Sequence, residues 1–306
     1  NESYPFNIIW MRTRCTKLFP PHTLPYCPEV KKIAKSGNFD LIITSEVFSL
    51  NSLKLALCTP KNLIVWQELG KHNRIFHGLA SKFWYGIVAK IGFKKALIVA
   101  RSVQAREFIS KYCKNVSDTI IDHGVNIEKF TPCREKDNQF AICSQLISRK
   151  HIEKSIEAFA KYLNKYDDSA KLYIMGEGEE EENLKALSKK LGADKNIIFT
   201  GKLGHNKLIE ILKKSIAMLV YTEKDNNMVS VVESIALATP VITTDIPYNA
   251  SYIKAEKLGI VNNNWNENDL RKLAASDEYI NNCINYRKYL PTEYKAEQFL
   301  KVKGLI

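Results

Sequence analysis

Short runs of aliphatic and β-branched residues recur along this chain, and stretches of helical periodicity separate most of them. Phe6–Trp10, Asp40–Thr44, Asn62–Trp66, Ala96–Ala100 and Thr119–Asp122 form a first series, with helical stretches near 47–58, 75–91 and 103–113. Phe140–Cys143, Leu172–Met175, Asn196–Phe199, Ile216–Val220, Val241–Thr243 and Gly259–Val261 form a second. Runs this short and this apolar read as strands covered on both faces. Their alternation with helices predicts parallel strands joined by helical crossovers, an α/β doubly wound architecture. The polar segment Thr131–Gln139 interrupts the alternation and is expected to be a linker. Two Rossmann-like domains follow, 1–134 and 135–306, and a final helical stretch runs from Glu278 to about Lys303.

The chain has 306 residues, 45% hydrophobic and 25% charged, which suits two ordinary soluble cores better than one. No apolar run approaches the ~20 residues a membrane span requires. The first residue is Asn1, and no charged-then-apolar leader follows, so no signal peptide is expected. Seven cysteines are scattered without a Cys-x-x-Cys pair, and six histidines form no His-x-x-x-His cluster. That pattern excludes a zinc ribbon or disulfide scaffold and fits reduced thiols in the cytoplasm. Lys and Arg exceed Asp and Glu by 45 to 33. A surplus of this size suits nucleic acid, an anionic membrane surface or a phosphorylated substrate. No nucleic-acid motif accompanies it and the basic residues are spread along the chain, so nucleic acid is set aside.

The stretch Tyr221–Thr244 carries the most chemistry. A strand (216–220) runs into the polar loop Glu223-Lys-Asp-Asn-Asn-Met228, a helix opens near Val229, and Pro240 begins the next strand. A helix N-terminus at the carboxyl end of a strand is where open α/β sheets hold phosphorylated ligands. Glu233, one turn into that helix, can accept two hydrogen bonds from a ribose diol.

This segment resembles the nucleotide-sugar signature of retaining family-4 glycosyltransferases of the GT-B fold, in which an acid precedes Glu-Ala-Met-Ala-x-Gly-x-Pro-Val-Val by seven residues. Asp225 takes the first acidic place, Glu233 the second, and Ser234–Val241 completes the pattern. Glu223 is an alternative first acid, out of register by two. Four further stretches match in order. Ile121-Asp-His-Gly124-Val-Asn126 to Phe130 resembles the turn closing the first domain, with Gly124 supplying backbone freedom. Ser144–Lys150 falls where the family has Gly-Arg-Leu-x-x-x-Lys. There Lys150 would meet the donor diphosphate, Gln145 replaces the family Arg, and Arg149 is placed to compensate. Met175-Gly176-Glu-Gly178 resembles a turn that lets backbone approach the nucleotide, and Ile197–Leu203, with Gly201, resembles the wall of the base pocket. In the loop Asn226-Asn227-Met228-Val229, asparagines stand where the family uses glycines to hold the sugar.

The resemblance implies a GT-B fold with two domains facing a cleft and transfer from a nucleoside diphosphate sugar to a glycan or lipid-linked acceptor. It also implies retention of configuration and neither cofactor nor metal. Asp225 would contact the sugar, and Glu68 and His72, after the third strand, are candidates near the anomeric centre. No opening strand and Gly-rich loop precede Tyr4, so the first βα units of the first domain are expected to be missing. The basic, aromatic stretch 73–95 reads as a core helix with lysines pointing outward, and as the alternative an interfacial helix on the inner face of a membrane. Rival readings of the whole are a non-catalytic partner subunit (motivated by Gln145 and Asp225), a metal-dependent transferase using Glu223-Lys224-Asp225, and a nucleotide-sugar epimerase.

Overall fold

Two parallel sheets organise the chain, whose computed structural model describes residues 7–19, 22–71 and 77–306. The chain divides into two compact units, one running up to Asp122 and taking back Leu300–Ile306, the other His123–Phe299.

The first unit begins with an antiparallel hairpin, β1 (Arg14–Phe19) and β2 (His22–Tyr26). The sequence reading placed its first strand at Phe6–Trp10 instead. Phe6 lies outside the described residues, and 7–10 form no strand. Ile8, Ile9 and Trp10 are exposed, and an apolar run becomes a strand only where a neighbour takes up its backbone polar groups. The next four strands match expectation to within a few residues: β3 (Ile42–Ser45), β4 (Leu63–Gln67), β5 (Leu97–Ala100) and β6 (Val116–Ile120). They are parallel and lie side by side in chain order. Ile64, Val65, Ile98 and Val99 at their centre are fully buried, as expected of a sheet covered by crossover helices. The helix Val103–Ile109 starts where the sequence placed its cap: Ser102 Oγ accepts from the Ala105 amide at 3.1 Å.

The second unit holds β7 (Gln139–Cys143), β8 (Lys171–Met175), β9 (Ile197–Gly201), β10 (Ala217–Leu219), β11 (Val241–Thr243) and β12 (Gly259–Val261). All are parallel, in the order β9-β8-β7-β10-β11-β12. That is the doubly wound order, the third strand of the unit at one edge and the sixth at the other. Side chains alternate between two cores with the two-residue period of a strand. Phe140 and Ile142 join Phe159 and Tyr162 on one face, while Ala141 and Cys143 join Met218 and Val231 on the other.

The segment read as a linker packs on the second unit. The Cys133 amide donates to Leu237 O, the Asp137 amide to Lys214 O, and Lys136 Nζ to Lys213 O and Thr239 Oγ1. Its polar groups thus satisfy carbonyls left open at two helix C-termini, which gives a polar stretch a reason to stay docked. The unit boundary falls earlier, at Asp122–His123. There Gly124 serves a close approach. A Cβ on it would lie 2.8 Å from Thr292 Cα, while the Val125 amide donates to Leu290 O and the Thr292 amide to Val125 O. The expected last helix is two, Glu278–Tyr286 and Thr292–Lys303, because Pro291 cannot continue the first.

Replacing Ser102 by Ala is expected to lower stability by about 1 kcal/mol, read as a lower urea midpoint at unchanged slope. An unchanged midpoint would mean the cap contributes nothing.

Candidate functional site

β7 is followed on one side by the crossover to β8, and β10 on the other by the crossover to β11. The loops leaving these neighbouring strands therefore diverge, and a crevice opens at their carboxyl ends. Cys143, Ser144 and Lys150 line it from the β7 side, and Val220, Tyr221 and Met228 from the β10 side.

A cluster of opposite charges ties the two loops together. Lys150 closes a short 3-10 turn, Ser148–Lys150, and its side chain is almost wholly buried. Its ammonium meets Asp225 Oδ2 at 2.7 Å. Thr222 Oγ1 donates to the same oxygen at 2.5 Å, and Arg149 Nη1 reaches Asp225 Oδ1 at 3.4 Å and Lys224 O at 2.5 Å. Asp225 and Lys150, expected to contact different parts of a ligand, are thus partners of each other. Glu223 takes another direction. His151, in a left-handed conformation (φ 43°), faces a carboxylate at each ring nitrogen: Nδ1 lies 2.8 Å from Glu153 and Nε2 2.8 Å from Glu223. Burial opposes its protonation, but the two carboxylates outweigh it and hold the imidazole above its ordinary pKa. Glu223 and Asp225 therefore serve different cations. Among the described residues no group of three or more His, Cys, Asp and Glu side chains is arranged to hold a metal ion.

The helix of the signature spans Val229–Ala236, with Met228 as its cap residue and Glu233 one turn inside. Glu233 Oε1 lies 3.0 Å from His205 Nε2, at the start of the helix His205–Lys214. Phe130 meets the His205 ring edge-on, with centroids 5.9 Å apart. Nothing in the sequence marked His205, which lies four residues past Gly201 in an otherwise ordinary helix start. Cys143 is coupled to both charged centres: burial and then Glu233 push its thiol up to about 11, against the pull of Lys150.

The loop 225–228 is shaped by a residue that sequence reasoning missed. Asn249, wholly buried, accepts from the Met228 amide at 2.7 Å and donates to Asn227 Oδ1 at 2.7 Å and Met228 O at 3.3 Å. The Tyr248 amide donates to Asn226 O. Asn226 and Asn227 are buried supports of the loop, whereas Val229 is exposed at the helix start. Gly176 and Gly178 serve packing of loop on loop. A Cβ on Gly176 would lie 1.8 Å from Ser144 O, and one on Gly178 2.2 Å from Leu146 O. The segment they pack against carries Gln145, which is exposed. Gly201 differs: its φ of +65° is left-handed, and its surroundings are open apart from Glu177, which accepts from the Lys202 amide.

In the first unit, Glu68 follows β4, and its Oε2 accepts from Arg101 Nη1 at 2.6 Å. The Arg101 guanidinium stacks 3.7 Å above the Trp66 ring. His72 lies outside the described residues. Beside Glu68 is an unanticipated acid, Glu46, at the carboxyl end of β3. It is buried in a left-handed conformation (φ 69°), and its carboxylate accepts from the amides of Glu68 at 2.7 Å and Leu69 at 3.4 Å. Burial dominates over these bonds and over Arg101, and the Glu46 pKa is pushed up to about 7. A non-glycine residue at positive φ is uncommon, but a single sequence gives no signal for it.

A doubly wound sheet with a crevice at its switch point is the arrangement in which open α/β proteins bind their ligands. The chain belongs to the glycosyl transferases group 1, whose family profile matches residues 126–288, just over half of it. It is 24% identical over 302 residues to an alpha-monoglucosyldiacylglycerol synthase of Streptococcus pneumoniae, covering 88% of this chain and 66% of that protein. It is 29% identical over 197 residues to an uncharacterized glycosyltransferase of Methanocaldococcus jannaschii, covering 58% and 50%. The chain thus spans between half and just under two thirds of the length of these relatives. Among solved structures it resembles Anabaena HepE in complex with UDP (TM-score 0.69, 13% identity, 92% of this chain and 83% of that one). It also resembles WaaG, a glycosyltransferase involved in lipopolysaccharide biosynthesis (TM-score 0.60, 17% identity, 90% and 80%). The fold, α/β with two parallel-sheet units, is that of GT-B glycosyltransferases.

Glu46 supplies a test of the first unit. Its folded pKa, about 7, lies above the ordinary value of 4.5, so the fold favours the protonated acid. The stability this contributes is fully present below about pH 4.5 and lost as pH rises through about 7. Glu46→Gln should therefore flatten the fall in urea midpoint between pH 5 and 8. Parallel curves for the two proteins would show that Glu46 does not titrate there.

Proposed function

We propose that this protein moves a sugar from a nucleoside diphosphate sugar to a glycan or lipid-linked acceptor, with retention of configuration and without a metal ion. The observation that carries the reading is the position of Lys150 and Glu233, one on each of the loop systems that leave the switch-point strands. In this reading Glu233 accepts both hydroxyls of the donor ribose, and His205 fixes the carboxylate's orientation. Lys150 and Arg149 meet the diphosphate, beside the open amides at the start of the helix Val229–Ala236. Those groups neutralise the leaving phosphate, whose oxygen takes the acceptor's proton as the new bond forms on the same face. The name of the pneumococcal relative, a diacylglycerol glucosylating synthase, supports a lipid-linked acceptor, and the UDP bound to HepE supports a nucleotide donor.

Asp225 gains a second task from its contacts. With no phosphate present it is the counter-ion of Lys150, and it releases the lysine when the diphosphate arrives, becoming free to bind sugar hydroxyls. Competition for one ammonium is a reason for an acid to stand there.

Two experiments test the reading. Glu233→Gln removes acceptor capacity, with charge-assisted bonds of about 1.5–3 kcal/mol each at stake, so UDP affinity should fall at least about tenfold by calorimetry. Lys150→Ala should weaken UDP strongly and uridine hardly at all. UDP affinity unchanged by Glu233→Gln, or equal losses for UDP and uridine in Lys150→Ala, would refute the assignments. Titrations with and without Mn²⁺ should coincide.

The ion pair makes a further demand. Asp225→Asn removes the competitor, so UDP should bind about tenfold more tightly while sugar transfer slows. Weaker UDP binding by Asp225→Asn would mean the carboxylate supports Lys150 instead of competing for it.

A further inference from the structure

The helix 78–92 has two apolar faces. One is core: Ser81, Trp84, Tyr85 and Ala89 are buried, Trp84 Nε1 donates to Val47 O at 3.2 Å, and the Tyr85 ring packs on Phe108 and Tyr112. The other is exposed. Leu79 is 82% exposed, Phe83 49%, Ile87 51% and Ile91 68%. Four large apolar side chains at a strict four-residue spacing would drift around an ordinary helix of 3.6 residues per turn. Here the middle, Trp84–Ala89, is a π-helix, whose wider turns counter the drift and keep the stripe in line. The expectation of a core helix with outward lysines therefore describes one face only.

Charge frames this stripe. Lys82, Lys90, Lys94, Lys95 and Lys114 are exposed, and Lys90, Lys94 and Lys114 surround a hollow floored by Gly86, Ile87, Ile91 and Tyr112. Between Glu68 and Glu107 the sequence contains no acidic residue. The basic surplus is not evenly spread, as the sequence reading had it. Residues 1–122 hold 18 Lys and Arg against 8 Asp and Glu, a surplus of ten, whereas residues 123–306 hold 27 against 25.

We propose that this face of the first unit docks the protein on an anionic bilayer. The stripe enters the acyl boundary, and the lysines meet lipid phosphates around it. A second copy of the chain is a poor occupant, since two surfaces with the same cationic rim repel. A neutral apolar partner would leave the lysines without counter-charge. The inference rests on the first unit alone, and its outcome is independent of the donor site.

The test is co-sedimentation of the full chain with vesicles of phosphatidylcholine alone and of phosphatidylcholine mixed with phosphatidylglycerol. Binding is expected to the mixed vesicles, at least about tenfold weaker to the neutral ones, and to fall with added salt. The double variant Ile87→Glu, Ile91→Glu alters only exposed positions and should reduce binding about tenfold or more, whereas Leu57→Glu, also exposed on this unit, should not. Near-UV circular dichroism and the urea midpoint, measured on the same samples, should be unchanged in both and report that each variant is folded. Equal binding to neutral and anionic vesicles, binding insensitive to the double variant, or no binding would overturn the proposal. So would a concentration-dependent dimer that the double variant abolishes in the absence of vesicle binding.

Discussion

The second unit's site depends on one buried ammonium. Lys150 sits where β7 and β10 part, in a crevice it lines with Ile142, Ile152, Leu219 and Val220, and its ammonium lies against Asp225. A cation so placed needs an anion, because burying an unpaired charge is far costlier than burying a paired one. Asp225 is that anion in this structure, and it reaches Lys150 only because the loop after β10 folds back toward the loop after β7. The ion pair thus closes the two loops on each other at the point where sheet topology leaves a gap. Any ligand phosphate that enters meets a position already shaped for negative charge.

The loops around the crevice are held by neighbouring residues. Asn249 binds backbone and side chain of the 227–228 segment at once, fixing where the helix of Glu233 begins. Gly176 and Gly178 let the loop after β8 lie directly on the backbone of 144–146, which fixes the approach to Lys150. His205 steers the Glu233 carboxylate from a third loop. The three devices differ chemically, since Asn249 and the glycines act on backbone and His205 on a side chain, but each restricts a loop or side chain beside the crevice.

Much of this was legible in the sequence, and the parts that were not share a cause. Strand positions β3 to β12, the cap Ser102 and the helix carrying Glu233 follow from apolar runs and local capping chemistry, which act over a few residues. Lys150 and Glu233 stand out in the sequence because their neighbours form patterns. The pairing of Asp225 with Lys150, across 75 residues, could not be read, since it depends on the strand order of the sheet. Asn249 and His205 were missed for the same reason. The close backbone approaches at Gly124, Gly176 and Gly178 could not be read either, because a glycine needed for close packing looks identical in sequence to one needed for a turn or a ligand. The first strand was misplaced because an apolar run, Phe6–Trp10, was taken as sufficient without a pairing edge.

The two units differ in how they handle charge. In the second unit the acids nearly balance the bases, and the buried Lys150 is paired at short range with Asp225. Charge there acts over a few ångströms. The first unit keeps almost the whole surplus of the chain, and its five stripe-flanking lysines are solvated. Solvated charges of one sign act over a Debye length, roughly 8 Å at physiological ionic strength, and attract an extended surface better than a single group. Beside them the exposed stripe of Leu79, Phe83, Ile87 and Ile91 supplies a short-range apolar contact once that surface is reached. Under the proposed reading both scales are used at once: an enclosed pair of charges to hold a soluble donor, and an open cationic, apolar face to meet an acceptor that does not leave its membrane.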